Sequence, residues 1–135
     1  MLKSAQLGKE IVVTVMNKIG VLADMSKILA DHGINIEAVA GYAVNVDAII
    51  MLVTDDNLRA MDALKKSGYK DIKEKTVIIL ELENKPGVLR KITAKLASAD
   101  IDIRYIYGTA CLGDCPSRAV LSTNNDEKAL VEFKM

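Results

Sequence analysis

The sequence predicts an α+β fold written twice, the first copy running strand, helix, strand, strand, helix, strand and the second repeating it without an evident last strand, with both helices of each on one face of an antiparallel sheet. Three observations predict it. A shift of 67 residues lays Asn17, Lys18, Gly20, Val21 and Leu22 on Asn84, Lys85, Gly87, Val88 and Leu89, and a repeat of this kind sets the architecture before any motif is considered. Within each copy, short β-branched runs alternate with segments of helical spacing. Glycines and acidic residues fall where those segments should start and stop. The resulting order is the split βαβ, ferredoxin-like arrangement.

The repeat continues with Leu29 and Ala30 on Leu96 and Ala97, Ile34 and Ile36 on Ile101 and Ile103, and Gly41 on Gly108. Beyond this the offset is 69, placing Leu52, Thr54, Ala60 and Lys65 on Leu121, Thr123, Ala129 and Lys134. The second copy therefore gains two residues between Ala110 and Leu121, in the stretch holding Cys111, Gly113, Asp114, Cys115 and Pro116. Ile11 to Met16 is aliphatic and β-branched, as suits a buried strand. Val21, Leu22, Met25, Ile28, Leu29 and His32 recur at helical spacing, and Gly33 supplies the stop. Ile34 to Val44 and Asp47 to Thr54 read as two strands joined by a hairpin near Asn45. Asp55 and Asp56 open a second helix, where the macrodipole favours acids. It carries Leu58, Met61 and Leu64 on one face and ends at Gly68.

Tyr69 to Lys75 reads as a short, lysine-rich edge strand of the protected kind. In the second copy the matching elements are Val77 to Leu82, Val88 to Ala99, Ile101 to Ala110, Ser117 to Thr123 and Asn125 to Lys134. The sequence gives this copy no evident last strand. Its sheet edge is expected to be closed by the N-terminal segment, by the first copy or by another subunit. The domains are expected at 1–75 and 76–135.

Composition narrows the function. The chain has 135 residues, 18 basic against 18 acidic, half of them hydrophobic and 4% aromatic. That excludes a disordered chain. Up to and including Lys75 there are 10 basic and 10 acidic residues, and after it 8 and 8, so neither copy carries a phosphate-binding field. Without Trp and with one Phe, the chain also lacks stacking platforms for unpaired bases. No nucleic-acid partner is expected. Met1 to Glu10 is polar, and no apolar run approaches the roughly 18 residues that cross a bilayer. No membrane partner is expected, and the protein reads as cytoplasmic.

The informative chemistry lies in Asn17-Lys18-Ile19-Gly20-Val21-Leu22 and Asn84-Lys85-Pro86-Gly87-Val88-Leu89, each between a first strand and a first helix. A helix start offers unpaired N–H groups and partial positive charge that can hold a carboxylate, and glycine admits a ligand close to the backbone. Asn17 and Asn84 carry donor and acceptor atoms suited to a ligand bearing both ammonium and carboxylate. Asn before Gly or Pro is also an ordinary turn residue, and both readings stand at this point.

The element order, the Asn-x-Pro-Gly-x-Leu turn, and a following Gly33-Ile34-Asn35-Ile36 segment resemble the ACT domain family of amino-acid-binding regulatory modules. The second copy keeps the proline as Pro86, and the first has Ile19 there. The resemblance implies modules that pair, bind a small amino acid at their interfaces and control an attached or partner enzyme. It implies a homo-oligomer; the residues themselves offer no P-loop or dinucleotide fingerprint after a strand, so no cofactor and no catalytic residues are expected. It also implies ligand contacts from the end of strand one and the start of strand two, here Asn17 and Asn35, and Asn84 and Asp102. A histidine that some ligand-binding members carry two residues before the loop asparagine is Val15 or Leu82 here. The more apolar surroundings point to a branched-chain or other hydrophobic amino acid. Asp102 reads equally as a ligand for an ammonium group or as a solvated strand-start residue.

Cys111 and Cys115 are too few ligands for a structural metal site and read first as ordinary small loop residues, with a reversible disulfide as the alternative. His32, before Gly33, reads as a helix C-cap. With one histidine, the chain offers no His-based catalytic set. Two other classes compete with an amino-acid sensor: an oligomerisation module without ligand, and a thiol-based redox or metal-responsive domain working through Cys111 and Cys115.

Overall fold

The computed structural model describes residues 2–113 and 115–134. The elements are β1 (Leu2–Met16), α1 (Val21–Asp31), β2 (Ile36–Val44), β3 (Asp47–Thr54), α2 (Asn57–Lys66), β4 (Asp71–Leu82), α3 (Val88–Ser98), β5 (Ile103–Thr109), β6 (Ser117–Thr123) and α4 (Asp126–Lys134). The hydrogen-bonded strand order is β2-β3-β1-β4-β6-β5. The chain divides into two compact units, Lys9–Lys75 and Met1–Gly8 with Thr76–Met135, hereafter the first and second units. The expected α+β pattern of strands and helices is therefore present twice.

In the first unit β3 lies between β1 and β2, antiparallel to both, with Ile11 opposite Leu52, Met16 opposite Asp47 and Val44 opposite Asp47. Alternation along these strands turns Ile11, Val13, Ile50 and Leu52 into a core closed by Met25 and Leu29 of α1 and Ala60 and Leu64 of α2. Asn45 has φ 56°, which an Asn tolerates in a tight hairpin. In α2 the buried residues are Ala60, Ala63 and Leu64, whereas Leu58 is 75% exposed. Of the face read from spacing, Leu64 is in the core and Met61 packs against it, while Leu58 does not. The small alanines face inward and let the helix lie close to the sheet.

The second unit repeats this with β6 between β4 and β5, Ile78 opposite Leu121 and Leu82 opposite Ser117. Its core joins Ile78, Leu80 and Leu121 to Ile92 and Leu96 of α3 and Ala129 and Phe133 of α4. Leu2 and Ala5 pack against this core, and the first eight residues cluster with it. The missing last strand is therefore supplied by the N-terminal segment. Two strand boundaries are corrected: β1 starts at Leu2 rather than Ile11, and the strands expected at 69–75 and 77–82 are one continuous β4. Leu2, Ala5 and Gly8 recur three apart and are half-buried, a spacing that hides a strand from a search for strict alternation.

A polar network ties each unit's hairpin sheet to its second helix. Thr54 Oγ1 donates to Asn57 Oδ1 at 2.6 Å and accepts from Asp56 N–H at 3.2 Å, while Asp56 Oδ1 caps Arg59 N–H at 3.2 Å. Thr123, Asn125, Asp126 and Lys128 repeat it, with Thr123 Oγ1 to Asp126 Oδ1 at 2.6 Å and Lys128 N–H to Asn125 Oδ1 at 3.0 Å. The cation on each second helix then reaches the end of the first: Arg59 Nη2 donates to the His32 carbonyl at 2.6 Å, and Lys128 Nζ to the Ala99 carbonyl at 2.9 Å. His32 also donates from Nδ1 to the Ile28 carbonyl at 2.8 Å, so its expected capping role holds. No helix among the described residues is long and apolar enough to cross a membrane.

Candidate functional site

Each unit carries an open cavity where its first strand enters its first helix. In the first unit the cavity has a volume of about 420 Å³ and is lined by Asn17, Lys18, Gly20, Val21 and Leu22 from the loop and helix start. Val39, Ala40, Gly41, Tyr42 and Ala43 of β2, with Ala48 and Ile50 of β3, complete it. In the second unit a cavity of about 330 Å³ is lined by Asn84, Lys85, Val88 and Leu89, by Ile106 to Ala110, and by Ser117 to Ala119, with Leu82 and Glu83. Both volumes fall in the range of small-molecule sites.

The loop glycines explain the shape. Gly20 and Gly87 are the N-caps of α1 and α3 at φ 92° and 86°, with no side-chain cap in either case. A left-handed residue at this point turns the chain sharply into the helix; the Val21 and Val88 N–H groups donate back to the Lys18 and Lys85 carbonyls at 3.4 Å, and no N-cap side chain takes up the N–H groups that follow. The loops are tied to their hairpins differently. In the first unit Asn17 N–H donates to the Val46 carbonyl at 2.8 Å. In the second, the Asn84 side-chain Nδ2 donates to the Cys111 carbonyl at 3.4 Å.

The two cavities differ in charge. The first offers Lys18 as the one charged residue of a mainly aliphatic lining that also holds Asn17 and Tyr42. In the second, Lys85 pairs with Glu83 at 3.1 Å and Arg118 lies 3.7 Å from Glu81. The hydrogen bond from Lys85 holds the Glu83 carboxyl below the usual carboxylate range. Beside the first cavity's helix, Tyr69 donates its hydroxyl to Asp24 in the first turn of α1. Burial and then the Asp24 carboxylate push the phenol up to about 12.

Of the sequence-derived residues, the structure gathers Asn17, Lys18, Gly20, Val21 and Leu22 at one cavity and Asn84, Lys85, Val88 and Leu89 at the other. Ile19 is fully exposed to solvent, and Ile19, Pro86 and Gly87 lie outside the cavity linings. Asn35 and Asp102 sit elsewhere. Asn17 follows the strand end opposite Asp47, while Asn35 precedes the residue opposite Thr54. At about 3.4 Å per residue, the eight residues of β3 put these ends roughly 24 Å apart. The Asn35 N–H donates to Asp55 Oδ1 at 3.0 Å, and the Asp102 N–H donates to Asn124 Oδ1 at 3.0 Å. Their main chains thus pin the start of β2 and β5. A ligand touching both asparagines of the first unit requires two copies of that unit.

The sequence reading missed the β2, β3, β5 and β6 walls. The available signal was the pair Gly41 and Gly108, which match across the repeat and line the two cavities. It also favoured unpaired cysteines. The structure instead bonds Cys111 to Cys115, whose Cα atoms lie 5.5 Å apart, inside the range a disulfide spans. Among the described residues no group of three His, Cys, Asp or Glu side chains could hold a metal.

Residues 9–67 match the family model of the ACT domain. This segment, nearly all of the first unit, is an ACT domain. No curated protein matches the chain. Among solved structures the chain is similar to protein BT0572 from Bacteroides thetaiotaomicron, with 26% identity over 96% of this chain and 88% of that one and a TM-score of 0.86. It shares its fold with the ligand-free regulatory subunit of aspartate kinase from Thermus thermophilus, at 13% identity, 99% and 97% coverage and TM-score 0.67. The regulatory subunit of aspartate kinase from Thermus flavus is similar in fold at 15% identity, 98% and 96% coverage and TM-score 0.61.

Proposed function

We propose that the chain is a tandem ACT-type regulator whose second unit is a further ACT-type domain, and that it binds a small amino acid and modulates a partner enzyme allosterically. The observation that carries this reading is the matched pair of cavities, each set against a glycine-capped helix start and an asparagine. The ligand carboxylate meets the helix N–H groups and their partial positive charge. Its side chain lies on the aliphatic wall of Val21, Leu22, Val39 and Ile50 in the first unit, which supports a branched-chain or other hydrophobic amino acid. Asn35 and Asp102 take part only if copies assemble so that one copy's strand start meets the other's loop, which is the reason for proposing a homo-oligomer. Regulatory subunits of the same fold support a partner enzyme in amino-acid metabolism as the target. Ligand binding shifts the assembly by its differential affinity for the two states, typically about 1–3 kcal/mol.

Thermal-shift screening against the amino acids, followed by calorimetry, tests this, since a ligand that binds only the folded state raises the melting temperature. A hydrophobic amino acid is expected to bind, and Asn17→Ala and Asn84→Ala each to weaken it. Constitutive oligomers that no amino acid stabilises would instead support an assembly module without ligand.

A further inference from the structure

We propose that Cys111 and Cys115 are a reversible thiol–disulfide site that sets the second unit's ligand loop through the hydrogen bond between Asn84 and the Cys111 carbonyl. The inference deepens the ligand-site reading above and rests on it for its functional meaning. Three observations place the disulfide beside the loop. Asn84 donates to the carbonyl of a disulfide-bonded residue. Ala110, next to Cys111, lines the second unit's cavity. Asn84 and Lys85 also line an adjoining cavity of about 340 Å³ whose wall includes Gly113, Cys115 and Pro116.

The first unit supplies an internal control. There the hairpin is a tight turn at Asn45 and Val46, and the loop is tied to it through a main-chain N–H, Asn17 to the Val46 carbonyl. That bond needs no cross-link. The second unit's hairpin is longer by two residues, and its tie is an asparagine side chain reaching a turn that the disulfide closes over four residues of sequence. A longer turn has more conformations to lose, and closing it covalently removes most of them. Opening the disulfide frees the Cys111 carbonyl to move away from Asn84.

The exchange is accessible, since Cys115 is exposed and Cys111 half-buried. A dithiol reductant carries it out in two steps. Its thiolate attacks the Cys115 sulfur, the disulfide breaks, and Cys111 leaves as a thiolate that takes up a proton. The reductant's second thiolate then attacks the mixed disulfide, releasing Cys115 as a thiolate that is protonated in turn. Two electrons and two protons reach the protein, and the reductant ends as its own disulfide. A low-molecular-weight disulfide such as oxidised glutathione reverses the sequence.

The test uses the full chain purified without reductant. Titration with a chromogenic thiol reagent is expected to find almost no free thiol before dithiothreitol and both cysteines after it. In amide correlation spectra, the Asn84 side-chain NH₂ is expected to shift on reduction and return with oxidised glutathione, while that of Asn17 stays in place. The double variant Cys111→Ser with Cys115→Ser is expected to match the reduced protein under all conditions. Two free thiols without reductant, or an Asn84 signal indifferent to dithiothreitol, would overturn the proposal. Any amino acid that calorimetry assigns to the second unit is expected to bind about three- to tenfold more weakly after reduction, the range spanned by one lost hydrogen bond. Should no amino acid bind in either state, the ligand reading fails while the Asn84 signal still decides the coupling.

Discussion

Single atoms decide much of the loop and cavity geometry. Gly20 and Gly87 hold φ values that an added Cβ disfavours although open space surrounds them, so Gly87→Ala should cost about 1 kcal/mol through the backbone alone. Denaturant titration reads that loss. Gly41 and Gly108 present the opposite problem. A Cβ on Gly41 would meet the movable end of the Ile50 side chain at 3.0 Å and the Ile49 carbonyl oxygen at an ordinary 3.8 Å, whereas one on Gly108 would meet the Arg118 carbonyl oxygen at 2.5 Å. Gly41→Ala should therefore fold normally, and Gly108→Ala should disturb the pairing of β5 with β6, visible as faster amide exchange along both strands. Tyr69 predicts a pH dependence. Its folded value of about 12 lies above the ordinary 10.0, so the stability it contributes is complete below about pH 10 and lost as pH rises through 12. Tyr69→Phe should remove that high-pH loss while lowering stability at neutral pH, as melting curves across the range would record. Asn17 and Asn84 were legible as loop residues from their offset. That one ties its hairpin by main chain and the other by side chain was not, because the sequence does not state which atom faces the turn.

At the scale of elements, the most reproducible device is the junction between each hairpin and its second helix. Thr54 and Thr123 are buried, and each hydroxyl both donates to the residue three on and accepts from the one two on. Thr123→Val keeps the shape and the Thr123 N–H bond to Asp126 Oδ1 but removes the hydroxyl's bond to that oxygen and the acceptor of the Asn125 N–H, so a loss of about 1 kcal/mol is expected by chemical denaturation. Helix α1 and the two hairpins were readable from periodicity, since their apolar spacing matches what they bury. Helix α2 was less so. The apolar Leu58 attracts attention in a pattern of hydrophobic residues, yet contact with the sheet selects Ala60 and Ala63, whose small side chains permit close approach. Local periodicity reports which residues are apolar. It does not report how much room the facing layer leaves.

For the whole molecule, the consequential feature is that β1 and β4 each contribute to both compact units. Removing residues 1–8 should strip Leu2 and Ala5 from the second unit's core and leave its sheet edge open. Amide exchange is expected to accelerate at Thr76 to Leu82 while the first unit's β3 keeps its protection, and the truncated chain should associate through the bared edge. The two repeats, their element order, the glycine-capped loops and the even charge balance were determined by sequence alone, because each rests on local spacing or on self-similarity. What closes the second sheet, which glycines abut a neighbouring strand, and that Asn35 lies far from Asn17 in its own unit were decided only by tertiary structure. Those are facts about strand partners, and an extended chain that satisfies half its backbone hydrogen bonds through distant residues carries no local mark of which residues they will be.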